Sequence, residues 1–348
     1  MKSKIKELFV FKNSSIIFAL KQMDSIGRKL LIVLEDDKYV GLLSIGDIQR
    51  AIIKNIDLNL HVSSINRDDY IIANKYHSMT DVKKMMLYIR SEFMPVVDDD
   101  KNLIDVYFWE DLFGEKKIEP KAQFNLPVVI MAGGIGTRLR PLTNVLPKPL
   151  LPIGTKTMLE EIFERFANYG SNRFYISINY KADLIKYYIQ NQHVPYDINF
   201  FEEEKPMGTA GSLTILKGSI NQTFFVSNCD ILIEQDYSEI LSYHKENNNE
   251  ITLVAALKHY PIPYGTVETG KNGKLIALKE KPEITFKINS GMYILEPHLL
   301  NEIPENVFFH ITQLIENVKN RNGNIGVFPV SERSWKDIGN WDEYLKFF

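Results

Sequence analysis

The stretch VVIMAGGIGTRLRPLTNVLPKPLLPI, from Val128 to Ile153, decides how the rest of the chain is read. Val128, Val129, Ile130 and Met131 form a continuous apolar run, as needed for a short strand buried on both faces of a helix-covered parallel sheet. Ala132 then opens a loop. Gly133, Gly134 and Gly136 lack the Cβ atoms that would hold a polyphosphate off the backbone, so several N–H groups can converge on its oxygens. Arg138 adds a positive charge to this loop. Lys148 follows between Pro147 and Pro149, whose fixed φ angles extend the chain and aim the ammonium at the same anion.

Three glycines alone occur in many turns, but the spacing separates this loop from two other phosphate-binding loops. A Walker loop ends in Gly-Lys-Ser/Thr and the dinucleotide fingerprint is G-x-G-x-x-G; GGIGTRLRPLT contains neither. The longer block GGxGTRLxPLTxxxPKPLxPI resembles the sugar-1-phosphate nucleotidyltransferase family nearly position by position. That resemblance implies an α/β, Rossmann-like nucleotide-diphospho-sugar transferase domain, a mixed and mostly parallel sheet between helices. It also implies nucleotide contacts from Gly133, Gly134, Gly136 and Thr137, with Arg138 and Lys148 as the catalytic cations.

Composition points the same way. The 348 residues carry 41 Lys plus Arg against 44 Asp plus Glu, so no basic field marks a nucleic-acid partner. No apolar run approaches the roughly 20 residues of a membrane span, and the start MKSKIKELFVFKNSS is too short in apolar residues for a signal sequence, so a cytoplasmic protein is expected. The single cysteine, Cys229 in FFVSNCD, reads as a small strand residue rather than a nucleophile.

Residues 1–114 read as a tandem repeat. LLIVLEDDKYVGLLSIGDIQRAI, beginning at Leu30, returns as FMPVVDDDKNLIDVYFWEDLF, beginning at Phe93, and ALKQM at Ala19 returns as VKKMM at Val82. Each copy predicts helix, strand, acidic turn, strand, helix. The pattern resembles a pair of CBS motifs, β-α-β units that often hold an adenine nucleotide in a cleft marked G-x-x-S/T-x-x-D. The first copy keeps Gly41, Ser44 and Asp47; the second has Asp105 and Phe108 in place of the first two and keeps Asp111. At most one regulatory nucleotide is therefore expected, through Ser44 and Asp47. The alternative is an assembly module of a homo-oligomer in which Asp47 only caps a helix. The charged, proline-containing stretch 115–126 reads as a linker, and 127–348 as the transferase.

After the loop, Thr157 and Glu160 form a capping box for a helix whose apolar residues Met158, Ile162, Phe163 and Phe166 recur at helical spacing. Strand-like and helix-like segments then alternate, which predicts a largely parallel sheet with its ligands beyond the strands' carboxyl ends. Phe224 to Ser227 is one such strand, and it delivers Asp230 to that edge. Mg²⁺ prefers one or two carboxylates with phosphate oxygens and water, so a second carboxylate is expected. The family's late W-x-D-x-G run implies Asp337, flanked by Trp335 and Gly339; Asn340 departs from the threonine common there. By the same resemblance Gly208, in EKPMGTAGS, approaches the base, while Tyr264, Gly265, Glu280, Lys281 and Asn289 face the sugar phosphate.

The resemblance implies NTP plus sugar 1-phosphate going to NDP-sugar plus pyrophosphate. A transferase preceded by CBS motifs most resembles the guanylyltransferases that make GDP-glucosamine for legionaminic acid, which favours GTP and an amino-hexose such as glucosamine 1-phosphate. Thymidylyl, uridylyl and mannose- or heptose-directed guanylyl relatives share every residue quoted. A nucleotide sensor with an inactive transferase scaffold would not need Arg138, Lys148, Asp230 and Asp337 together. A glycosyltransferase would more often carry D-x-D, which NCDIL lacks.

Overall fold

The computed structural model describes residues 5–67, 70–114, 122–192, 194–203 and 205–347. The chain divides into two compact units, Met1–Glu119 and Pro120–Phe348. Most of the predicted linker, residues 115–121, lies outside the described residues. Its remainder belongs to the second unit: the Phe124 ring stacks on Tyr169 and Phe225, with centroids 5.4 and 5.3 Å away.

The first unit contains the repeat. One copy runs β1 (Phe9–Phe11), α1 (Ile16–Ile26), β2 (Leu30–Glu35), β3 (Lys38–Ser44), α2 (Ile45–Ile53); the other runs β4 (Ala73–Asn74), α3 (Met79–Ile89), β5 (Phe93–Val97), β6 (Leu103–Phe108), α4 (Trp109–Phe113). The copies agree in detail. Ser15 and Ser78 cap α1 and α3, and Gly27 and Arg90 end them in the left-handed conformation. Leu30 pairs with Ser44 as Phe93 does with Phe108, and the ladders slip at Val33/Leu34 and at Val96/Val97. Each copy makes a three-stranded sheet, and the two share a core in which Leu30, Ile32 and Leu42 meet Phe93, Val106 and Phe108.

In the second unit, β7 (Val128–Met131) is followed by helix α5 (Leu142–Val145), a small hairpin β8 (Pro152–Ile153) and β9 (Lys156–Thr157), and α6 (Met158–Ala167). The chain continues as β10 (Arg173–Ile178), α7 (Ala182–Gln192), β11 (Asp197–Glu202), β12 (Phe224–Asn228), β13 (Ile231–Ile233) and α8 (Tyr237–Glu246). It closes with β14 (Ile251–Pro261), β15 (Thr266–Thr269), β16 (Leu275–Lys279), β17 (Glu283–Leu295), α9 (Ile311–Asn320), β18 (Ile325–Val330), β19 (Trp335–Asp337) and α10 (Trp341–Tyr344).

Seven strands form the sheet in the order β11-β10-β7-β12-β17-β14-β18, and β17 alone runs against the others. Both faces are covered. Val128 and Ile130 point into a core with α6, α7 and α8, whereas Val129 points into one with Leu213, Leu299 and α9. This is the mixed, mostly parallel α/β arrangement that the sequence predicts.

Two departures from a plain sheet shape the site. β14 pairs with β18 only as far as Ala256, so from Leu257 onward β14 and β17 continue as a two-stranded arm whose connection contains β15 and β16. Separately, β13 pairs antiparallel with β19, setting Ile231 opposite Asp337.

Candidate active site

The phosphate loop leaves β7 where an open α/β sheet binds ligands, at the strands' carboxyl edge. Its glycines answer different needs. Gly136 adopts φ +70°, and a Cβ there would sit 2.9 Å from Cγ2 of Thr143, whose hydroxyl donates to the Gly136 carbonyl at 2.9 Å. A Cβ on Gly133 would rest 3.4 Å from Glu203 Oε1, while at Gly134 it would meet nothing within 4 Å. The loop's flank is fixed from outside: Tyr180 Oη donates to the Thr143 carbonyl at 3.1 Å, and Trp341 Nε1 donates to the Arg140 carbonyl at 2.9 Å.

Four expected residues converge. Asp230 follows β12, and the β13–β19 ladder brings Asp337 beside it, with the Ile338 amide donating to the Asp230 carbonyl at 2.8 Å. The Lys148 ammonium contacts Asp230 Oδ2 directly, and both side chains are largely buried. Arg138 spans the pair, Nη2 lying 3.7 Å from Asp230 Oδ2 and Nη1 3.7 Å from Asp337 Oδ2. Gly339 stands at the meeting point: a Cβ there would lie 2.5 Å from Asp230 Oδ2, 2.7 Å from Asp337 Oδ1 and 2.9 Å from Lys148 Nζ. Two carboxylates at such a junction are an oxygen donor set suited to a hard divalent cation. Neighbouring Cys229 is buried, which pushes its thiol up to about 12 and leaves it no thiolate character near neutral pH.

The other expected residues have different surroundings. Gly208 adopts φ +78°, and its missing Cβ clears the Phe309 carbonyl oxygen, 2.6 Å away. Its need for glycine is therefore met within the protein, by backbone packing and by a left-handed turn. Residue 204, which opens EKPMGTAGS, lies outside the described residues. Tyr264, Gly265, Glu280 and Lys281 sit on the arm; Tyr264 is 75% exposed, and a Cβ on Gly265 would stand 3.0 Å from Glu280 Oε2. Asn289, expected to face the sugar, is engaged inside β17. Its amide bonds the Tyr293 hydroxyl and accepts from the Gly291 amide at 3.0 Å, where the ladder to β14 is irregular and Gly291 takes φ +83°.

Ser44 and Asp47, in the first unit, also have internal partners. They form a reciprocal capping box for α2. The buried Asp47 carboxylate further takes Arg50, the Tyr70 hydroxyl and Arg67 Nε, the last at 2.8 Å. Burial pushes this carboxyl up, but the hydrogen bonds from Ser44, Tyr70 and Arg50 outweigh it and hold it below the usual carboxylate range. In the second copy Phe108 is a core residue, ring-packed on Phe93 at 6.1 Å, and supplies α4 with no side-chain cap. A cavity of about 470 Å³ in this unit is lined by Phe11, Lys12, Asp36, Asp37 and His61. It lies at the turn end of the β2–β3 ladder, opposite the end that carries Ser44.

One residue escaped the sequence reading. Glu203, buried just past β11, accepts from Ser177 Oγ at 2.6 Å and from the Met207 amide at 3.1 Å, while its carbonyl accepts from Asn179 Nδ2 at 2.6 Å. It thus joins the loop around Gly208 to the back of Gly133. The available signal was strand alternation, which places Glu203 on the same buried side as Phe201.

A doubly covered α/β sheet with a glycine loop and a carboxylate–cation cluster at its carboxyl edge defines a nucleotide-handling transferase fold. The chain belongs to the nucleotidyl transferase family, whose family model matches residues 127–348; a CBS domain model matches residues 3–54, the first copy of the repeat. The mannose-1-phosphate guanylyltransferase catalytic subunit beta of Dictyostelium discoideum is 33% identical over 189 residues, 51% of this chain and 52% of that protein. The mannose-1-phosphate guanyltransferase of Schizosaccharomyces pombe is 31% identical over 232 residues, 63% and 62% of the two chains. The chain thus spans about half to three-fifths of the length of these curated relatives. Among solved structures, HddC from Yersinia pseudotuberculosis, also solved complexed with GMP-PN, aligns with a TM-score of 0.50 at 28% identity, covering 64% of this chain and 97% of that one.

Proposed function

We propose that this chain transfers a guanylyl group from GTP to a sugar 1-phosphate, releasing pyrophosphate. The observation that carries the proposal is the convergence of Arg138, Lys148, Asp230 and Asp337 around Gly339 at the mouth of the phosphate loop. An oxygen of the sugar phosphate attacks the α-phosphorus in line, and the bond from that phosphorus to the pyrophosphate oxygen breaks. The attacking oxygen is already ionised near neutral pH, so the protein supplies positioning and charge rather than a general base. Arg138 and Lys148 offset the negative charge that accumulates on the departing pyrophosphate. Lys281 holds the incoming phosphate, with Tyr264, Gly265 and Glu280 beside the sugar. Asp230 and Asp337 hold a divalent cation, Mg²⁺ in this reading, which when bound supplies further neutralisation of phosphate charge.

Guanine is favoured by relatives named for guanylyl transfer and by a structural neighbour complexed with GMP-PN. For the sugar, the relatives' names point to mannose 1-phosphate, whereas the CBS motifs preceding a transferase favour glucosamine 1-phosphate. A pyrophosphate-release screen of GTP, ATP, UTP and dTTP against mannose, glucosamine, glucose and heptose 1-phosphates tests both choices. Turnover with GTP is expected to exceed that with the other three nucleotides; preference for UTP or dTTP would overturn the base assignment.

A further inference from the structure

We infer that Lys148 and Arg138 also act as resident counter-ions of Asp230 and Asp337 in the nucleotide-free enzyme, and that the carboxylate pair accepts a divalent cation only as they leave. This rests on the metal-site reading proposed above. The four formal charges cancel, so the attraction that two carboxylates would exert on a dication is already spent on the two side-chain cations. The competition is also for space. Asp230 Oδ2, Asp337 Oδ1 and Lys148 Nζ all lie within 2.9 Å of the point where a Gly339 Cβ would stand. The Lys148 ammonium and Arg138 Nη2 moreover address the same oxygen, Asp230 Oδ2.

The two cations differ in how they can leave. Arg138 is 62% exposed and reaches the carboxylates at 3.7 Å, so it can swing outward with little desolvation to restore. Lys148 is 9% exposed at its side chain and sits between two prolines, so only its flexible stem can withdraw the ammonium. Once withdrawn, both cations need a new anion, and a triphosphate on the neighbouring glycine loop provides one. Nucleotide and metal therefore tighten each other's binding by one common factor, because each removes the obstacle to the other.

Manganese(II) without nucleotide, followed by the electron paramagnetic resonance signal of the free aqueous ion, tests this on the full chain. Lys148→Met and Arg138→Met should each tighten Mn²⁺ binding, by about tenfold in the usual range of coupling between sites, while weakening GTP binding. Adding Asp230→Asn to Arg138→Met should abolish that tighter Mn²⁺ binding. If the double variant binds Mn²⁺ as Arg138→Met does, the metal-site reading itself falls. If neither methionine variant binds Mn²⁺ more tightly than the parent, the exchange is overturned, and the metal reading survives where Asp230→Asn loses the Mn²⁺ that the parent holds with GTP present. Arg138→Met removes an exposed side chain and keeps the test decisive should Lys148→Met fail to fold, as circular dichroism would reveal.

Discussion

Gly339 is the residue on which the cluster is most sensitive to a single atom. Its neighbours are two carboxylate oxygens and an ammonium, each closer to a notional Cβ than ordinary van der Waals contact permits. Gly339→Ala should therefore cut pyrophosphate release by about a hundredfold or more, comparable to losing one catalytic electrostatic contact, with little change in thermal midpoint. Arg138→Ala should lower kcat more than it raises the KM for sugar phosphate, since its charge is most needed as pyrophosphate departs. A change confined to that KM would reassign Arg138 to the other substrate. The convergence of Asp230, Lys148 and Arg138 was legible in the sequence because Asp230 follows a strand end while Arg138 and the proline-flanked Lys148 share one long family-like block. Glu203 was not, because an acid in FFEEE looks like a solvated turn until Ser177 and the Met207 amide are seen around it.

At the scale of elements, the loop around Gly208 depends on a conformation that alanine tolerates poorly. Gly208→Ala adds about 1 kcal/mol of left-handed strain and drives a methyl against the Phe309 carbonyl, so kinetics should show a raised KM for GTP together with a lower melting temperature. The capping box of α2 makes a second prediction. Asp47→Ala should destabilise the first unit by at least the roughly 1 kcal/mol of a lost cap, measured by urea denaturation of the full chain. Because the folded carboxyl is held below its unfolded value near 3.9, its stabilisation is complete above that pH and disappears as pH falls through the lower folded value. Asp47→Asn should lack this acid-side component. The repeat was readable because both copies keep the same order of strand, acidic turn and strand, although a side chain caps only the first copy's following helix. The β13–β19 ladder was not, since three-residue strands are too short to show a period, and the irregularity at Gly291 comes from long-range pairing with β14.

For the whole molecule, the open matter is what the repeat unit does for the transferase. We propose that it binds one adenine nucleotide, through the first copy, and modulates substrate affinity by the several-fold to hundredfold usual for coupling between sites. Such a nucleotide must compete with Arg50, Arg67 and Tyr70 for Asp47, so millimolar rather than micromolar affinity is expected. Titration calorimetry of the full chain with AMP, ADP and ATP checks this. Heat that is unchanged in Asp47→Ala would move the nucleotide elsewhere, and no heat at millimolar concentration would leave the repeats as an assembly module. The chain order of the two acidic residues has its own consequence during synthesis. Asp230 leaves the ribosome early, but its partner arrives only when the segment that becomes β19 has been translated and has paired with β13. A nascent or prematurely terminated chain can form β7 and β12 and still lack half of that acidic pair, together with the Trp341 contact that fixes the flank of the glycine loop. On the proposed reading, translation through β19 and Trp341, rather than pairing of β7 with β12, is then the event that completes the site.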